Sequence, residues 1–378
     1  MIAPGSWLGC LGGGQLGRMF VHAAQAMGYK VLVLDPDATG PAAQAADDVI
    51  VAAYDDMDAI AVFGKRVAAV TTEFENVPAA SLEALAAMVP TRPGAAAVRI
   101  AQDRRKEKRF FVEHGLPVGP FAVIERAEDL RDAPAHLFPG ILKTATLGYD
   151  GKGQQRVTST TQALLAWMSM KQAPCVLEAM IPFEREISVL VARSATGEVR
   201  VWPVQENQHV NGILDLTIVP ARLDAAVLDQ AQTLARQLVE ALDYVGVLCV
   251  EVFVTADGLL LNEIAPRPHN SGHYTIEACQ TSQFEQQVRA LVGAPLGDPS
   301  LVQPAVMVNV LGDAWFDAVL PMQPAWDEVL ALPGAHVHLY GKAEARRARK
   351  MGHVTCVAAT QEEALATAVE VKRILRIP

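Results

Sequence analysis

The chain has 378 residues, of which 51% are hydrophobic and 20% are charged, and its formal net charge is −10. At about 100–200 residues per domain, this length predicts two or three domains, and the composition is typical of a globular protein rather than a disordered one. The acidic balance argues against a nucleic-acid-binding protein, which normally has a basic face, but it allows a local basic pocket for a phosphorylated small molecule.

No apolar run reaches the ~18 residues expected of a membrane helix, and the N-terminal residues lack the basic and apolar regions of a signal peptide. The five cysteines are scattered along the chain and form no C-x-x-C pair. We therefore expect a cytoplasmic protein with buried, reduced thiols rather than zinc ligands or disulfides.

The first hundred residues alternate strand and helix patterns. Strands are predicted at residues 7–11, 30–34 and 68–72, and helices at residues 16–27 and 81–88. Repeated β-α-β units with short links predict a parallel, doubly wound, Rossmann-like sheet in residues 1–100. Residues 90–94 are predicted to form a linker.

The rest of the chain predicts α+β structure in residues 101–300 and in a smaller unit, residues 301–378. Strands are expected at residues 118–124, 140–143, 175–181, 187–192, 199–203, 247–255 and 259–264, and helices at residues 103–113, 225–242 and 362–375. The Asp-Gly step within residues 256–258 is a strong signal for a hairpin that joins the last two strands.

A glycine motif, G-x-G-x-x-G, follows the first strand and opens the first helix. Its glycines are Gly12, Gly14 and Gly17. With Asp35 at the end of the next strand, this is the context of a dinucleotide-binding fold, in which N–H groups at the helix N-terminus attract anions. The motif is equally compatible with a tight turn that binds nothing, or with a turn that holds another phosphate-bearing substrate near Gln15 and Leu16.

A second arrangement suits nucleotide phosphates. The P-loop motif G-x-x-x-x-G-K-[ST] is absent from the sequence, but Lys143 ends a predicted strand shortly before a glycine-rich loop at residues 148–154. A lysine at a strand end can bind phosphate, and a mobile loop can close over it and exclude water. The loop alone is equally typical of an ordinary hairpin turn. Glu178 and Glu186 follow, and they suit ribose hydroxyls and an amino group unless they are simply solvated.

Two carboxylates, Glu251 and Glu263, lie in the apolar strands of the predicted hairpin, with Asn262 beside them. Carboxylates are costly to bury without a partner. Together with the Asn262 side chain they predict an oxygen-rich Mg²⁺ site. The alternative is a structural ion pair with Arg267.

In this order and spacing, these residues resemble the ATP-grasp superfamily over roughly residues 100–295. The matching residues are Lys108, Lys143, residues 148–154, Glu178, Glu186, Glu251, Asn262 and Glu263. Further strings along the chain resemble the 5-(carboxyamino)imidazole ribonucleotide synthetase family of purine biosynthesis. These strings are GGGQLGRM at 12–19, TEFENVP at 72–78, QDR at 102–104, GYDGKGQ at 148–154, FEREISV at 183–189, NEIAPRPHNSGH at 262–273, YGK at 340–342 and RKMGH at 349–353.

The resemblance implies an ATP-grasp fold with an N-terminal pre-ATP-grasp domain, a lid at roughly residues 118–182, and a C-terminal domain that completes the substrate site. It implies ATP-dependent carboxylation of 5-aminoimidazole ribonucleotide by bicarbonate, through carboxyphosphate, with release of ADP and phosphate. It also implies Mg²⁺, for which Mn²⁺ would substitute, and a homodimer without nucleic-acid or membrane partners.

The resemblance also implies roles for individual residues. The ATP-binding set is Arg104, Lys143, Gly148, Tyr149, Asp150, Gly151, Lys152, Gly153, Gln154, Glu178, Ala179, Met180, Ile181, Glu186, His209, Asn262 and Glu263. The metal ligands are Glu251 and Glu263, and the catalytic residues are Lys143, Asp150 and Arg267. The substrate-binding set is Gln15, Leu16, Glu73, Tyr149, Asp150, Arg267, His269, Asn270, Ser271, Lys342, Arg349 and Lys350. Without the resemblance, the basic stretch at residues 342–350 is typical of a solvated face, and His209 of a surface histidine.

One position departs from the family pattern, because Leu147 stands where a glycine is expected; we expect its side chain to pack rather than react. Three other functions fit parts of the sequence. They are a sister ATP-grasp enzyme (a formate-dependent glycinamide ribonucleotide transformylase or a biotin carboxylase), a nicotinamide-dependent dehydrogenase, and a non-catalytic nucleotide sensor. A dehydrogenase leaves the acidic hairpin and the glycine loop unexplained, and a sensor would be expected to lose the acids or Lys143.

Overall fold

The computed structural model describes residues 1–148, 153–317 and 320–377. The N-terminal domain contains a parallel sheet with helices on its faces, as the β-α-β pattern predicts. Its elements are β1 (Trp7–Leu11), α1 (Gln15–Ala26), β2 (Lys30–Asp35), β3 (Asp48–Val51), α2 (Met57–Arg66), β4 (Ala69–Thr72), α3 (Ala79–Ala86) and α4 (Ala95–Ala101). The strand order is β3-β2-β1-β4, which matches the first half of a Rossmann sheet.

Three elements of this domain, β3, α2 and α4, were not predicted from the sequence. The β3 residues are partly or fully exposed, so the strand lacks the apolar run that marks β1 and β2. The predicted linker at residues 90–94 also contributes to the sheet, because Thr91 forms a parallel bridge with Val70 of β4.

A helix and a small antiparallel sheet follow. The elements are α5 (Arg104–Glu113), β5 (Phe121–Ile124), α6 (Ala127–Arg131), β6 (Gly140–Thr144), β7 (Gln154–Val157), α7 (Thr160–Ser169) and β8 (Cys175–Ala179), with strand order β5-β8-β6-β7. Asp103 caps α5 by accepting a hydrogen bond from the Arg105 N–H at 3.0 Å. The α5 helix packs against both β8 and the hairpin described next, so its charged residues lie between two sheets.

The remaining elements include a large sheet, its flanking helices and a separate two-stranded sheet, β16–β17. They are β9 (Arg185–Arg193), β10 (Val199–Val201), β11 (Gln205–Val210), β12 (Ile213–Val219), α8 (Ala225–Ala241), β13 (Gly246–Thr255), β14 (Gly258–Ala265), α9 (Thr275–Ala278), α10 (Gln283–Val292), β15 (Ala305–Leu311), β16 (Phe316–Asp317), β17 (Leu320–Pro321), α11 (Trp326–Leu330), β18 (Ala335–Leu339), β19 (Lys350–Val357) and α12 (Gln361–Leu375). The order is β14-β13-β9-β11-β12-β15-β19-β18, and β10 pairs with β9. The predicted β13–β14 hairpin is confirmed.

The large sheet crosses the expected boundary at residue 300, because β12 pairs with β15 in an antiparallel ladder. The α8 helix covers one face of the central strands, and Trp202 and Tyr274 lie in the core on the other face. Both faces of β9 and β13 are therefore buried, which explains their long apolar runs.

The cysteine prediction is confirmed, since all five cysteines are free and buried. Across the described ranges, no helix combines the length and apolarity needed to cross a membrane.

Candidate active site

The glycine motif between β1 and α1 binds the chain's own carboxylates. The Gly13 N–H donates to Asp35 Oδ2 at 2.5 Å, and Glu73 accepts hydrogen bonds from the N–H groups of Gly14 at 2.8 Å and Gly17 at 3.1 Å. A Cβ atom on Gly13 would lie 2.7 Å from the Asp35 carboxyl carbon, so the close approach requires glycine. Because these donors are satisfied internally, they are not available to a dinucleotide pyrophosphate, which argues against the dehydrogenase interpretation.

The same turn bears on three predicted substrate contacts. Both Glu73 oxygens accept hydrogen bonds from the turn, so Glu73 also shapes the loop that contains Gln15. The Gln15 side chain is partly exposed, whereas Leu16 is buried beside Phe284 and Tyr340. A contact from Leu16 to a ligand would therefore have to come from its backbone.

The two acids of the β13–β14 hairpin meet at a β-bulge. Val250 pairs with Ile264 and Val252 pairs with Leu261, so Glu251 alone lies opposite both Asn262 and Glu263. Asn262 Nδ2 lies 3.3 Å from Glu251 Oε2. A bulge redirects side chains within a ladder, and here it places two carboxylates and an amide within one small region.

The surroundings of the two acids differ. Burial and the neighbouring Glu263 raise the pKa of Glu251. Burial would also raise the pKa of Glu263, but the charges of Arg104 and Lys143 outweigh it and lower the pKa. Arg104 Nη1 lies 2.6 Å from Glu263 Oε2. The alternative of an ion pair with Arg267 is wrong, because Arg267 pairs with Glu75.

These residues fit a bound Mg²⁺ ion. The donors are carboxylate and amide oxygens, and Asn262 Oδ1 is buried without a hydrogen-bond partner in the described residues. Within the same ranges, no group of three or more His, Cys, Asp or Glu side chains is arranged to hold a metal. Mg²⁺ is commonly bound by one or two carboxylates together with substrate phosphates, which matches this small donor set.

Two lysines and an acid lie near the hairpin, on α5, β6 and β8. Glu178 Oε2 is 3.0 Å from Lys143 Nζ and 3.5 Å from Lys108 Nζ. Burial would raise the pKa of Glu178, but these lysines and Arg104 lower it to about 2, so the carboxylate is charged. Its Oε1 atom is buried and has no partner in the described ranges, so it can accept a hydrogen bond from a ligand.

The next predicted ATP contacts lie at the end of β8 and directly after it. The N–H groups of Ala179 and Met180 already donate to Pro120 O and Pro139 O, each at 3.0 Å, so these two N–H groups are occupied within the chain. His209 lies within β11, a strand that was not predicted, because the strand expected at residues 199–203 ends at Val201 and a separate strand begins at Gln205. Burial lowers the pKa of His209, but its contact with Glu186 on β9 outweighs this and raises the pKa.

Residues after β14 line the same cleft. His269 Nε2 is 3.5 Å from Glu251 Oε1, and its Nδ1 is 2.9 Å from Ser271 Oγ. The side-chain nitrogen and oxygen of Asn270 are both buried without partners in the described part of the chain. Two such unsatisfied atoms require an explanation, and a polar ligand would provide their partners.

The predicted phosphate-binding cations lie around the β18–β19 connection. Lys342 Nζ donates to Lys350 O at 2.5 Å, and Arg349 Nη1 donates to Glu344 O at 2.9 Å. Burial, Arg267 and Lys350 together lower the pKa of His269, so Lys350 lies near the cleft. Gln44 Nε2 donates to the Gly341 carbonyl at 3.0 Å, which joins this connection to the N-terminal domain.

The glycine loop is only partly described. Tyr149, Asp150, Gly151 and Lys152 lie outside the described residues, whereas Gly148, Gly153 and Gln154 lie within them. The expectation that Leu147 packs is wrong, because its side chain is 71% exposed. Leu147 has a φ angle of 61°, in the left-handed region that favours glycine. This backbone angle accounts physically for the glycine that the family pattern predicts there.

Comparison with known proteins agrees with this geometry. Residues 6–102 match the ribonucleotide synthetase preATP-grasp domain, residues 109–284 the ATP-grasp domain, and residues 305–367 the phosphoribosylaminoimidazole carboxylase C-terminal domain. The N5-carboxyaminoimidazole ribonucleotide synthase of Brucella melitensis is 46% identical over 358 residues, which cover 94% of this chain and 97% of that protein. The chain belongs to the N5-carboxyaminoimidazole ribonucleotide synthase family.

Solved structures of this family have the same fold. An ADP complex of an N5-carboxyaminoimidazole ribonucleotide synthetase is 45% identical, with a TM-score of 0.93 over 100% of this chain and 98% of the other. An Aspergillus clavatus synthase in complex with ADP and 5-aminoimidazole ribonucleotide is 34% identical, with a TM-score of 0.90 over 98% of this chain and 99% of the other. These relatives confirm the ATP-grasp fold with its N-terminal and C-terminal domains.

Sequence reasoning assigned no role to Glu75, although Glu75 lies in the string that carried part of the family resemblance. Its carboxylate pairs with the Arg267 guanidinium, so an acid of the N-terminal domain orients a predicted catalytic residue that follows β14. The available signal was an acid two residues after Glu73, beyond the end of a buried strand. Its partner is 192 positions away and could be recognised only in the folded chain.

Replacing Glu75 with Gln should lower kcat/KM for the nucleotide substrate about tenfold, the equivalent of about 1.4 kcal/mol, because Arg267 loses its charged partner. Initial rates with varied nucleotide substrate measure this effect. Glu83→Gln is the matched control, since Glu83 forms an exposed pair with Arg99 and surface pairs contribute little. Equal kcat/KM in both variants would contradict the role of Glu75.

Proposed function

We propose that this chain carboxylates 5-aminoimidazole ribonucleotide with bicarbonate and ATP, giving N5-carboxyaminoimidazole ribonucleotide, ADP and phosphate. The observation that carries the proposal is the cleft itself, in which the Glu251–Glu263 metal site adjoins both a cationic wall and the side chains of residues 267–271. Membership of the family, and the relative whose structure contains ADP and 5-aminoimidazole ribonucleotide, support the choice of substrates.

The nucleotide half of the cleft binds phosphate and metal. Lys143 and Arg104 provide positive charge where the phosphoryl group is transferred, and Glu178 holds Lys143 in place. Glu251, Asn262 and Glu263 would hold Mg²⁺, which neutralises phosphate charge when it is bound. Since carboxyphosphate is short-lived in water, the reaction needs a site that excludes solvent, and residues 148–154 are the proposed cover.

The other half of the cleft binds the aminoimidazole nucleotide. His269 lies beside Glu251, and Arg267 and Asn270 adjoin His269 along the chain, so these residues would contact the acceptor and the carboxyl group near the transferred phosphoryl group. Lys342, Arg349 and Lys350 would bind the substrate phosphate. Gln15, Glu73, Tyr149 and Asp150 remain proposed contacts, with Asp150 orienting the amine or accepting its proton.

Three broader assignments belong to the same proposal. The domains divide near residues 100 and 300, the enzyme acts in the cytoplasm, and it forms a homodimer. Five buried free cysteines fit a reducing compartment. Light scattering after size-exclusion chromatography tests the oligomeric state, and a mass of one chain would contradict the homodimer.

Lys350→Ala should raise KM for the aminoimidazole nucleotide about tenfold or more, with a smaller change in kcat, because removing one charge-assisted phosphate contact costs roughly 1.5–3 kcal/mol. The measurement is ADP release with varied nucleotide at saturating ATP. Arg346→Ala is the control, since its exposed side chain pairs with Glu344 in the same loop. An unchanged KM in Lys350→Ala would contradict phosphate binding by Lys350.

The decisive test of the function is ADP release by the purified protein with ATP, Mg²⁺ and bicarbonate, with and without 5-aminoimidazole ribonucleotide. The nucleotide should stimulate ADP release and appear as its N-carboxylated product. No stimulation would refute the proposed substrate. Stimulation by formate with glycinamide ribonucleotide would instead support the sister transformylase activity.

A further inference from the structure

Helix α5 contacts three consecutive residues of β14 at the proposed metal site. Arg104 binds the Glu263 carboxylate at 2.6 Å, as described above. Lys108 Nζ donates to Asn262 O at 2.7 Å, and Glu107 Oε1 accepts from the Ile264 N–H at 2.8 Å. Residues at positions i, i+3 and i+4 share one helix face. A single face of α5 therefore contacts β14 at Asn262, Glu263 and Ile264.

Glu107 has no role in the proposed chemistry, yet it is only 2% exposed. A buried carboxyl group is costly unless charges and hydrogen bonds compensate it. Burial raises the pKa of Glu107 to about 8 although Lys108 and Arg104 are its cationic neighbours, and the Ile264 amide supplies a hydrogen bond. A carboxyl group therefore occupies a position at which burying an apolar side chain would cost less free energy.

The position of β14 explains what Glu107 can do. This strand is at the edge of the large sheet, and in the described residues the outer side of its backbone meets only a single bridge, between Val118 and Leu261. Edge strands leave N–H and C=O groups unpaired. Glu107 and Lys108 satisfy the Ile264 N–H and the Asn262 carbonyl, which are the backbone groups on either side of Glu263.

The same segment contains the bulge that turns Asn262 and Glu263 toward Glu251. A bulge interrupts the ladder hydrogen bonds that would otherwise fix the backbone. We propose that Glu107 is a positioning residue that holds the Ile264 amide, and thereby keeps Asn262 and Glu263 aimed at the shared Mg²⁺. The inference rests on the proposed Mg²⁺·ATP site and adds a residue that touches neither metal nor substrate.

Three substitutions separate hydrogen bonding from charge. Glu107→Gln keeps an oxygen that can accept from Ile264 N–H but cannot ionise. Glu107→Asp keeps the carboxyl group but is one methylene shorter, and Glu107→Leu keeps the approximate size but removes the acceptor. Glu113→Gln, at the exposed end of the same helix, is the control.

Two measurements do not depend on turnover. The first is amide hydrogen exchange of the peptide that covers residues 258–265, and the second is the Mg²⁺ dependence of ADP binding measured by calorimetry. We expect Glu107→Leu and Glu107→Asp to exchange faster and to need about 10–100-fold more Mg²⁺, as is typical when a group that supports a metal ligand is removed. Glu107→Gln and Glu113→Gln should remain within about threefold of the unmodified protein.

Unchanged Mg²⁺ dependence in Glu107→Asp would overturn the inference, as would a Glu107→Gln variant as impaired as Glu107→Leu. The Asp and Gln pair decides the question even when the Leu variant does not fold. Glu263→Gln in the same titration separates this inference from the proposed metal site. If Glu263→Gln also binds ADP with unchanged Mg²⁺ dependence, the metal site itself is wrong; if only the Glu107 variants are unchanged, the positioning role alone is refuted.

Discussion

Glu263→Gln is expected to reduce kcat by about a thousandfold or more, because it removes a charged metal ligand at the centre of the cleft. The substitution keeps the size of the side chain and one oxygen. It leaves Arg104 without the carboxylate that lies 2.6 Å from its guanidinium. It also leaves Glu251, whose pKa is raised by burial, as the remaining carboxylate of the bulge.

Steady-state ADP release measures this loss, and calorimetry of Mg²⁺·ADP binding shows whether it arises at the metal. Glu240→Gln is a suitable control, since Glu240 is exposed on α8 and lies outside the β13–β14 hairpin. The thermal midpoint should remain close to that of the unmodified protein, because Gln fills the same space. Wild-type kinetics in Glu263→Gln would remove the metal hypothesis.

Lys143→Met is expected to lower kcat about 100–1,000-fold, the usual effect of removing one preorganised group that stabilises transition-state charge. Lys143 lies at the end of β6 with its ammonium group 3.0 Å from Glu178. Its charge also helps to lower the pKa of Glu263. The variant therefore loses positive charge on the wall of the cleft that faces the metal site.

Single-turnover formation of ADP separates this effect on chemistry from an effect on binding. We expect the Kd for ATP to rise less than kcat falls, since Lys108 and Arg104 remain in the cleft. Lys65→Met, on the exposed face of α2, controls for the loss of a lysine elsewhere. A kcat within threefold of the unmodified protein would show that Lys143 does not stabilise the transferred phosphoryl group.

Both predictions concern residues that the sequence identified. Lys143 was recognisable because it ends a predicted strand just before the glycine loop. Glu263 was recognisable because a charged side chain inside an apolar strand requires an explanation. The order of the lysine, the glycine loop and the acids then indicated ATP and Mg²⁺. The β13–β14 hairpin could be predicted for a local reason, since its Asp-Gly turn and flanking apolar runs are adjacent in sequence.

Other predictions were wrong or incomplete because they depend on contacts between distant residues. The glycine motif fits a dinucleotide site by its local pattern, yet Asp35 and Glu73 occupy its N–H groups from the ends of neighbouring strands. The sequence left an ion pair between Arg267 and the hairpin acids open as an alternative to the metal site, but Glu75 of the N-terminal domain binds Arg267 instead. Leu147 was expected to pack, but its left-handed backbone directs it into solvent.

The sequence by itself determined the fold class, the family and the chemical types in the site, because hydrophobic periodicity, turn signals and ordered motifs are local properties. The tertiary structure decided how those groups act together. The bulge that places Glu251 opposite Asn262 and Glu263 depends on strand register, and the contact from Glu107 to Ile264 joins residues 157 positions apart. Such positions are set by packing and by the need to satisfy buried polar groups, which no local pattern encodes.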